Sequence, residues 1–256
     1  MARVALVTVL LACAAALGSA EVVPVQHTEG LIHGFLVLRS ADGTLIANGD
    51  LIQNSKADRV SSRIVYHFKD GSLQDETAVY TEHDDFRLVT DHLVQKGPSF
   101  PKPMDMSIDA ATGQVIVHYT DDHGQAKEES ERMALPPDIA NGLVLTLLKN
   151  VTPDHLPASF SFIAATPKPM LIKLALSTTG ADKFSTGSMA REAQHFVLKV
   201  DIGGIKGILA PIFGKQPPDI HVWVLQGTAP AFVRAEQQFY YGGPVWRIDL
   251  ASPQGL

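Results

Sequence analysis

Asp/Gly turns interrupt the chain at short, regular intervals, and this restricts it to hairpins. Between Leu31 and Leu135 stand "ADGT" (41–44), "KDGS" (69–72), "DAATGQ" (109–114) and "DDHGQ" (121–125). Glycine supplies the positive φ of a tight reversal, and Asp bonds the backbone of its own turn. The runs between the turns alternate. In "RIVYHF", Ile64, Tyr66 and Phe68 share one face; in "QVIVHYT", Val115, Val117 and Tyr119 do the same. Period-two patterning with local reversals predicts an antiparallel meander of six or seven strands. Pro98, Pro101 and Pro103 interrupt it and predict a long edge or corner loop.

After Pro157 the β pattern resumes. "SFSFIAAT", "MLIKLALST", "AQHFVLKVDI", "DIHVWVLQ", "AFVRAEQQF" and "PVWRIDL" read as six further strands. No repeat is visible, and no linker is long or polar enough to divide the chain. Residues 21–256 therefore read as one mainly β domain.

Between the two meanders lies "LPPDIANGLVLTLLKN" (135–150). Asp138 suits a helix N-terminus and Lys149 a C-terminus. At 100° per residue, Ile139, Ala140, Leu143, Val144, Leu147 and Leu148 cover about half the circumference. The segment predicts a helix of three to four turns, buried on most sides. Such a helix covers the concave face of a curved sheet. It is either plain core or the wall of an apolar pocket that helix and sheet leave unfilled.

The first twenty residues, MARVALVTVLLACAAALGSA, read as a secretory signal. Arg3 is the positive start, Val4 to Leu17 the apolar stretch, and Gly18-Ser19-Ala20 the small-residue cleavage site. The apolar run of about 14 residues is short of the roughly 20 that span a bilayer. A rival reading makes Leu10 to Cys13 a lipoprotein site with Cys13 lipidated. Either reading predicts export, to the periplasm in a bacterium. Cys13 is the only cysteine, so a chain cleaved after Ala20 has no disulfides and no cysteine zinc site. That chain carries 20 Lys+Arg against 27 Asp+Glu and no basic cluster, which argues against nucleic acid as a partner.

"DIGGIKGILAPIFGKQPPD" (201–219) joins two strands yet is strongly apolar. Loops are ordinarily polar. This one either packs on the core, or closes over a ligand, or touches a membrane surface transiently through 202–214. In the next strand, "HVWVL", both faces carry bulk, and Trp223 faces away from Val222 and Val224.

The sequence carries no familiar catalytic signature. The ten histidines show no HExxH and no His-x-His pair. "TGSMA" (186–190) lacks the second glycine of a nucleophile elbow, and "GGIKG" has the wrong spacing for a phosphate loop. "KEESE" (127–131) reads as a solvated strand face. No cofactor is implied and no metal is expected. Two or more histidines converging with a carboxylate in a cleft would revive a hydrolase reading.

The signal, the 135–150 segment after a meander, and "DIHVWVLQGTAPAFVRAEQQFYYGGPVWRIDL" together resemble a family of uncharacterised bacterial periplasmic β-rich proteins. That family is related to the half-barrel carriers of lipoproteins and lipids. The resemblance implies an open half-barrel of meander topology with one short apolar helix on its concave face. It supplies no functional residue that can be matched here. The expected function is non-enzymatic binding of an apolar or lipid-like ligand, lined by Leu143, Leu147, Ile208, Phe213 and Trp223. The alternatives are an envelope interaction protein with a filled core, and an envelope hydrolase whose His/Asp site is dispersed along the chain.

Overall fold

A computed structural model describes residues 21–186, 189–201 and 216–251. The turns read from sequence all reverse the chain, with Gly43, Gly71, Gly113 and Gly124 at φ 87°, 86°, 71° and 75°. They link β1 (Ile32–Arg39), β2 (Leu45–Lys56), β3 (Arg59–Phe68), β4 (Leu73–Glu82), β5 (Phe86–Lys96), β6 (Met104–Asp109), β7 (Gln114–Thr120) and β8 (Ala126–Arg132). The first meander thus has eight strands where six or seven were expected. The charged "AKEESER" of β8, whose "KEESE" reads as a solvated strand face, is a largely exposed strand laddered with β7. The proline-bearing residues 97–103 are not at an edge either. They join β5 to β6 inside the sheet, and Phe100 turns inward against Phe68 and Trp246.

After α1 (Val144–Lys149) come β9 (Ser159–Ala164), β10 (Met170–Thr186), β11 (Met189–Asp201), β12 (Ile220–Leu225), β13 (Ala231–Gln238) and β14 (Val245–Ala251). These are the six strands expected. All fourteen form one antiparallel sheet in the order β8-β7-β6-β5-β4-β3-β2-β1-β14-β13-β12-β11-β10-β9. The sheet is curved and open. Strand pairing joins its two meanders where β1 meets β14, from Phe35↔Ala251 to Arg39↔Arg247. One face of each strand points inward, so Leu36, Tyr80, Met106, Val117, Phe160 and Phe196 meet in a single core.

This order leaves β8 and β9, consecutive in sequence, at opposite edges. Residues 133–158 must connect them, and they run through the concave side. On the way they cover the edge of β9, whose backbone would otherwise be unpaired. Ile139 bridges Ser161 in parallel. The Ala140 N–H donates to the Ser161 carbonyl at 2.9 Å, and the Ser161 N–H donates to the Asp138 carbonyl at 3.2 Å. One step further the Asn141 side chain replaces a strand. Its amide donates to the Ile163 carbonyl at 3.0 Å and its oxygen accepts the Ile163 N–H at 2.8 Å. The Asp138 carboxylate accepts from Ser161 Oγ at 2.6 Å and Lys173 Nζ at 2.9 Å.

That docking shortens the helix. Residues 138–141 are committed to β9, and Gly142 reverses the chain at φ 65°, so α1 has six residues instead of three to four turns. The buried Thr146, Leu147 and Leu148 anchor it. Thr146 Oγ1 lies 3.2 Å from Tyr80 Oη, which accepts from Gln53. The N-terminal stretch closes the far end. Asn150 Oδ1 accepts the N–H groups of Gln26 and His27, and Lys149 pairs with the buried Glu29.

Gly142 is the pivot. A Cβ there would lie 2.4 Å from Ala78 Cβ and 2.9 Å from Asp91 Oδ1. Gly142→Ala combines an unfavourable φ with overpacking, and is expected to destabilise the protein by about 2–4 kcal/mol. The midpoint of urea unfolding checks this.

Candidate ligand cavity

Concave sheet and α1 do not fill the space between them. A cavity of about 260 Å³ remains, bounded by Gly142, Val144 and Leu145 on one side and by strands from both meanders on the other. Its volume is an order of magnitude above the ~10–15 Å³ that holds one water. Most of the wall is apolar, including Ile64, Leu93, Phe162, Leu174, Val222 and Ile248. These inward positions follow from the pleat, since residues two apart on a strand share a face. Val200, Pro217 and Pro218 also reach the wall.

The polar part of the lining is concentrated on β3, β4, β5 and β13. Tyr66, Gln74, Glu76, Gln95 and Gln237 stand there. Gln95 Nε2 donates to Gln74 Oε1 at 2.9 Å and to the Phe239 carbonyl at 2.8 Å. Glu76 is different. No described residue gives it a hydrogen bond or an ion pair, and burial alone pushes its carboxyl up to about 7. Burial, then the charge of Glu76, also raises the pKa of the Tyr66 phenol.

Asp91 lies one diagonal step from Glu76. Ala78 faces Asp91 and Glu76 faces Leu93 across the β4–β5 ladder. Asp91 is 1% exposed, and neither carboxyl oxygen has a hydrogen-bond partner among the described residues. Burial first, and Glu76 second, hold it well above the usual carboxylate range. The described lining of the cavity includes no Lys, Arg or His. Two unpaired acids therefore sit at or just behind one wall, with no compensating cation among the described lining residues.

The residues expected to line the site are distributed differently. Leu143 and Leu147 are core; beside Leu147 there is only a water-sized void of about 10 Å³. The docking of 138–141 rotates Val144 and Leu145 into the cavity in their place. Trp223 points to the opposite, convex face of β12, where its ring stacks on His195 with centroids 4.1 Å apart. Ile208, Phe213 and the whole 202–214 stretch lie outside the described residues. Glu76 and Asp91 went unnoticed in the sequence. The signal was there: acids on the same face as Tyr80 and Leu93 in otherwise alternating strands.

On the convex face, the registers of β11 and β12 bring together two histidines far apart in sequence. His195 Nε2 lies 2.9 Å from His221 Nδ1, and His195 Nδ1 lies 2.7 Å from Thr179 Oγ1. Asp182 accepts from Trp223 Nε1 at 2.7 Å and stands 3.6 Å from His195. Burial and the neighbouring His221 lower the His195 pKa. This cluster is on the sheet's outer surface, on the other side from the cavity. Among the described residues no group of three or more His, Cys, Asp or Glu could hold a metal ion.

The raised carboxyls set a pH dependence. The folded state holds these protons more tightly than the unfolded chain does. Their contribution to stability is thus fully present below the unfolded carboxyl range and, for Glu76, is lost as pH rises from about 4.5 to about 7. Asp91 acts in the same direction. Asp91→Asn removes the buried charge, so it is expected to stabilise by about 1–3 kcal/mol at pH 8, with the gain shrinking towards pH 4. Thermal unfolding of both proteins across that range measures it.

No protein-family model matches the chain, and a search of curated proteins gives no significant match. Among solved structures, the chain is similar to a β-barrel-like protein of the domain of unknown function DUF1849 from Brucella abortus. That similarity has 9% sequence identity and a TM-score of 0.47, and covers 88% of this chain and 98% of the other.

Proposed function

We propose that this protein is a non-enzymatic binding protein of the cell envelope that holds an apolar or lipid-like molecule between α1 and the concave sheet. The observation that carries the reading is the cavity of about 260 Å³ with its mostly apolar wall. Native interiors are packed to crystal-like density, so an unfilled apolar space of this size is costly unless something occupies it. Burial of apolar ligand surface, worth about 25 cal/mol per Å², supplies the driving force. An interaction protein with a filled core does not need such a space. The secretory signal read at residues 1–20 supports an envelope location, with the ligand met outside the cytoplasm.

The test is titration with a neutral apolar fluorophore, N-phenyl-1-naphthylamine, on the chain lacking residues 1–20. Saturable binding in the micromolar range is expected. Leu145→Trp, which fills the space from the helix side, is expected to weaken it at least tenfold without lowering Tm. Absence of saturable binding, or equal binding by Leu145→Trp, overturns the reading.

A further inference from the structure

The chemistry of the cavity wall narrows the ligand class. We propose that the ligand is an apolar molecule ending in a protonated amine, with Glu76 as its counter-ion. This rests on the cavity being a binding site and adds the identity of the polar end.

Three observations carry it. Glu76 reaches the cavity and has no hydrogen-bond or ion-pair partner among the described residues. Glu76 is half-buried, and carboxyls withdrawn from water are ordinarily paired or hydrogen-bonded, because leaving one unpaired is expensive. A second unpaired acid, Asp91, stands one diagonal step away behind Gly142, so the same wall carries two acidic groups. Last, the described lining offers no Lys, Arg or His to a carboxylate or phosphate head. An anionic lipid head would face a like charge with no described lining residue to offset it, whereas an ammonium would complete the pair. The remaining polar groups suit that role. Tyr66 on β3, Gln74 on β4, Gln95 on β5 and Gln237 on β13 line the same cavity with neutral oxygen and amide atoms, and the described lining on the helix side is Gly142, Val144 and Leu145.

Three eight-carbon probes of matched length separate the possibilities: octylamine, octanol and octanoate. Titration calorimetry at pH 8 keeps the amine protonated and octanoate ionised, and lies above the raised Glu76 value of about 7. Octylamine is expected to bind about tenfold tighter than octanol, the size of one charge-assisted hydrogen bond, and octanoate weakest. In Glu76→Gln the ratio of octanol to octylamine Kd is expected to fall to about one. This variant removes an unpaired, half-buried charge, so the fold is expected to survive it, and the wild-type ranking stands as a test without it. If octanol or octanoate binds as tightly as octylamine, or the Glu76→Gln ratio is unchanged, the amine assignment is wrong while the cavity remains a site. If none of the three binds, both fall.

Discussion

The edge of β9 has to be satisfied by something, and what satisfies it is the stretch from Asp138 to Asn141. This one interaction fixes the rest of the interior. It spends four residues in backbone and amide pairing with Ser161 and Ile163, so the helix cannot start until after Gly142. The glycine in turn can approach Ala78 and Asp91 closely because it has no side chain. The late start of the helix decides which of its residues reach the core and which reach open space. Leu143 and Leu147 pack, and Val144 and Leu145 do not. The cavity is therefore a product of how an edge strand is covered in an open sheet, and not a gap left by poor packing.

The interior treats its polar groups in two ways. Around α1 they are joined into networks: Gln53, Tyr80 and Thr146 on one side, Asp138, Ser161 and Lys173 on the other. Such networks fix a unique arrangement, because each member loses about 1–3 kcal/mol if its partner is removed. The acids Glu76 on β4 and Asp91 on β5 are the exception. Among the described residues, three fully buried side-chain polar atoms lack a partner: both carboxyl oxygens of Asp91, and Gln53 Oε1. A chain that satisfies Asn141 and Asp138 so completely, yet leaves Glu76 and Asp91 bare, concentrates its electrostatic strain beside the cavity.

Much of the architecture was legible in the sequence. Asp/Gly turns and alternation of residue type depend on neighbours only a few positions apart, and they placed the strands of both meanders. The helix was legible in position but not in length. Its periodicity continues back to Ile139, and nothing local reveals that Ser161 and Ile163, more than twenty residues later, will claim residues 138–141. The site was less legible for the same reason. Which side of a strand faces the cavity depends on closure of the whole sheet, so Trp223 had the right bulk on the wrong face. Glu76 and Asp91 look like ordinary surface acids until the β4–β5 register sets them on the inner side. The His195–His221 contact likewise requires the β11–β12 ladder.

The seam between β1 and β14 has a consequence for the order in which the molecule can be assembled. β1 is the first named strand and β14 the last, yet they lie side by side near the middle of the sheet. As the chain emerges from N- to C-terminus, the first meander can form hairpin by hairpin, but the free flank of β1 stays open until nearly everything else has been made. The second meander must likewise wait for a partner that has existed since the start. Completion of the sheet is thus a single late, long-range event, with the entropy cost of closing a loop of some two hundred residues. During that interval the inner faces of both halves are exposed.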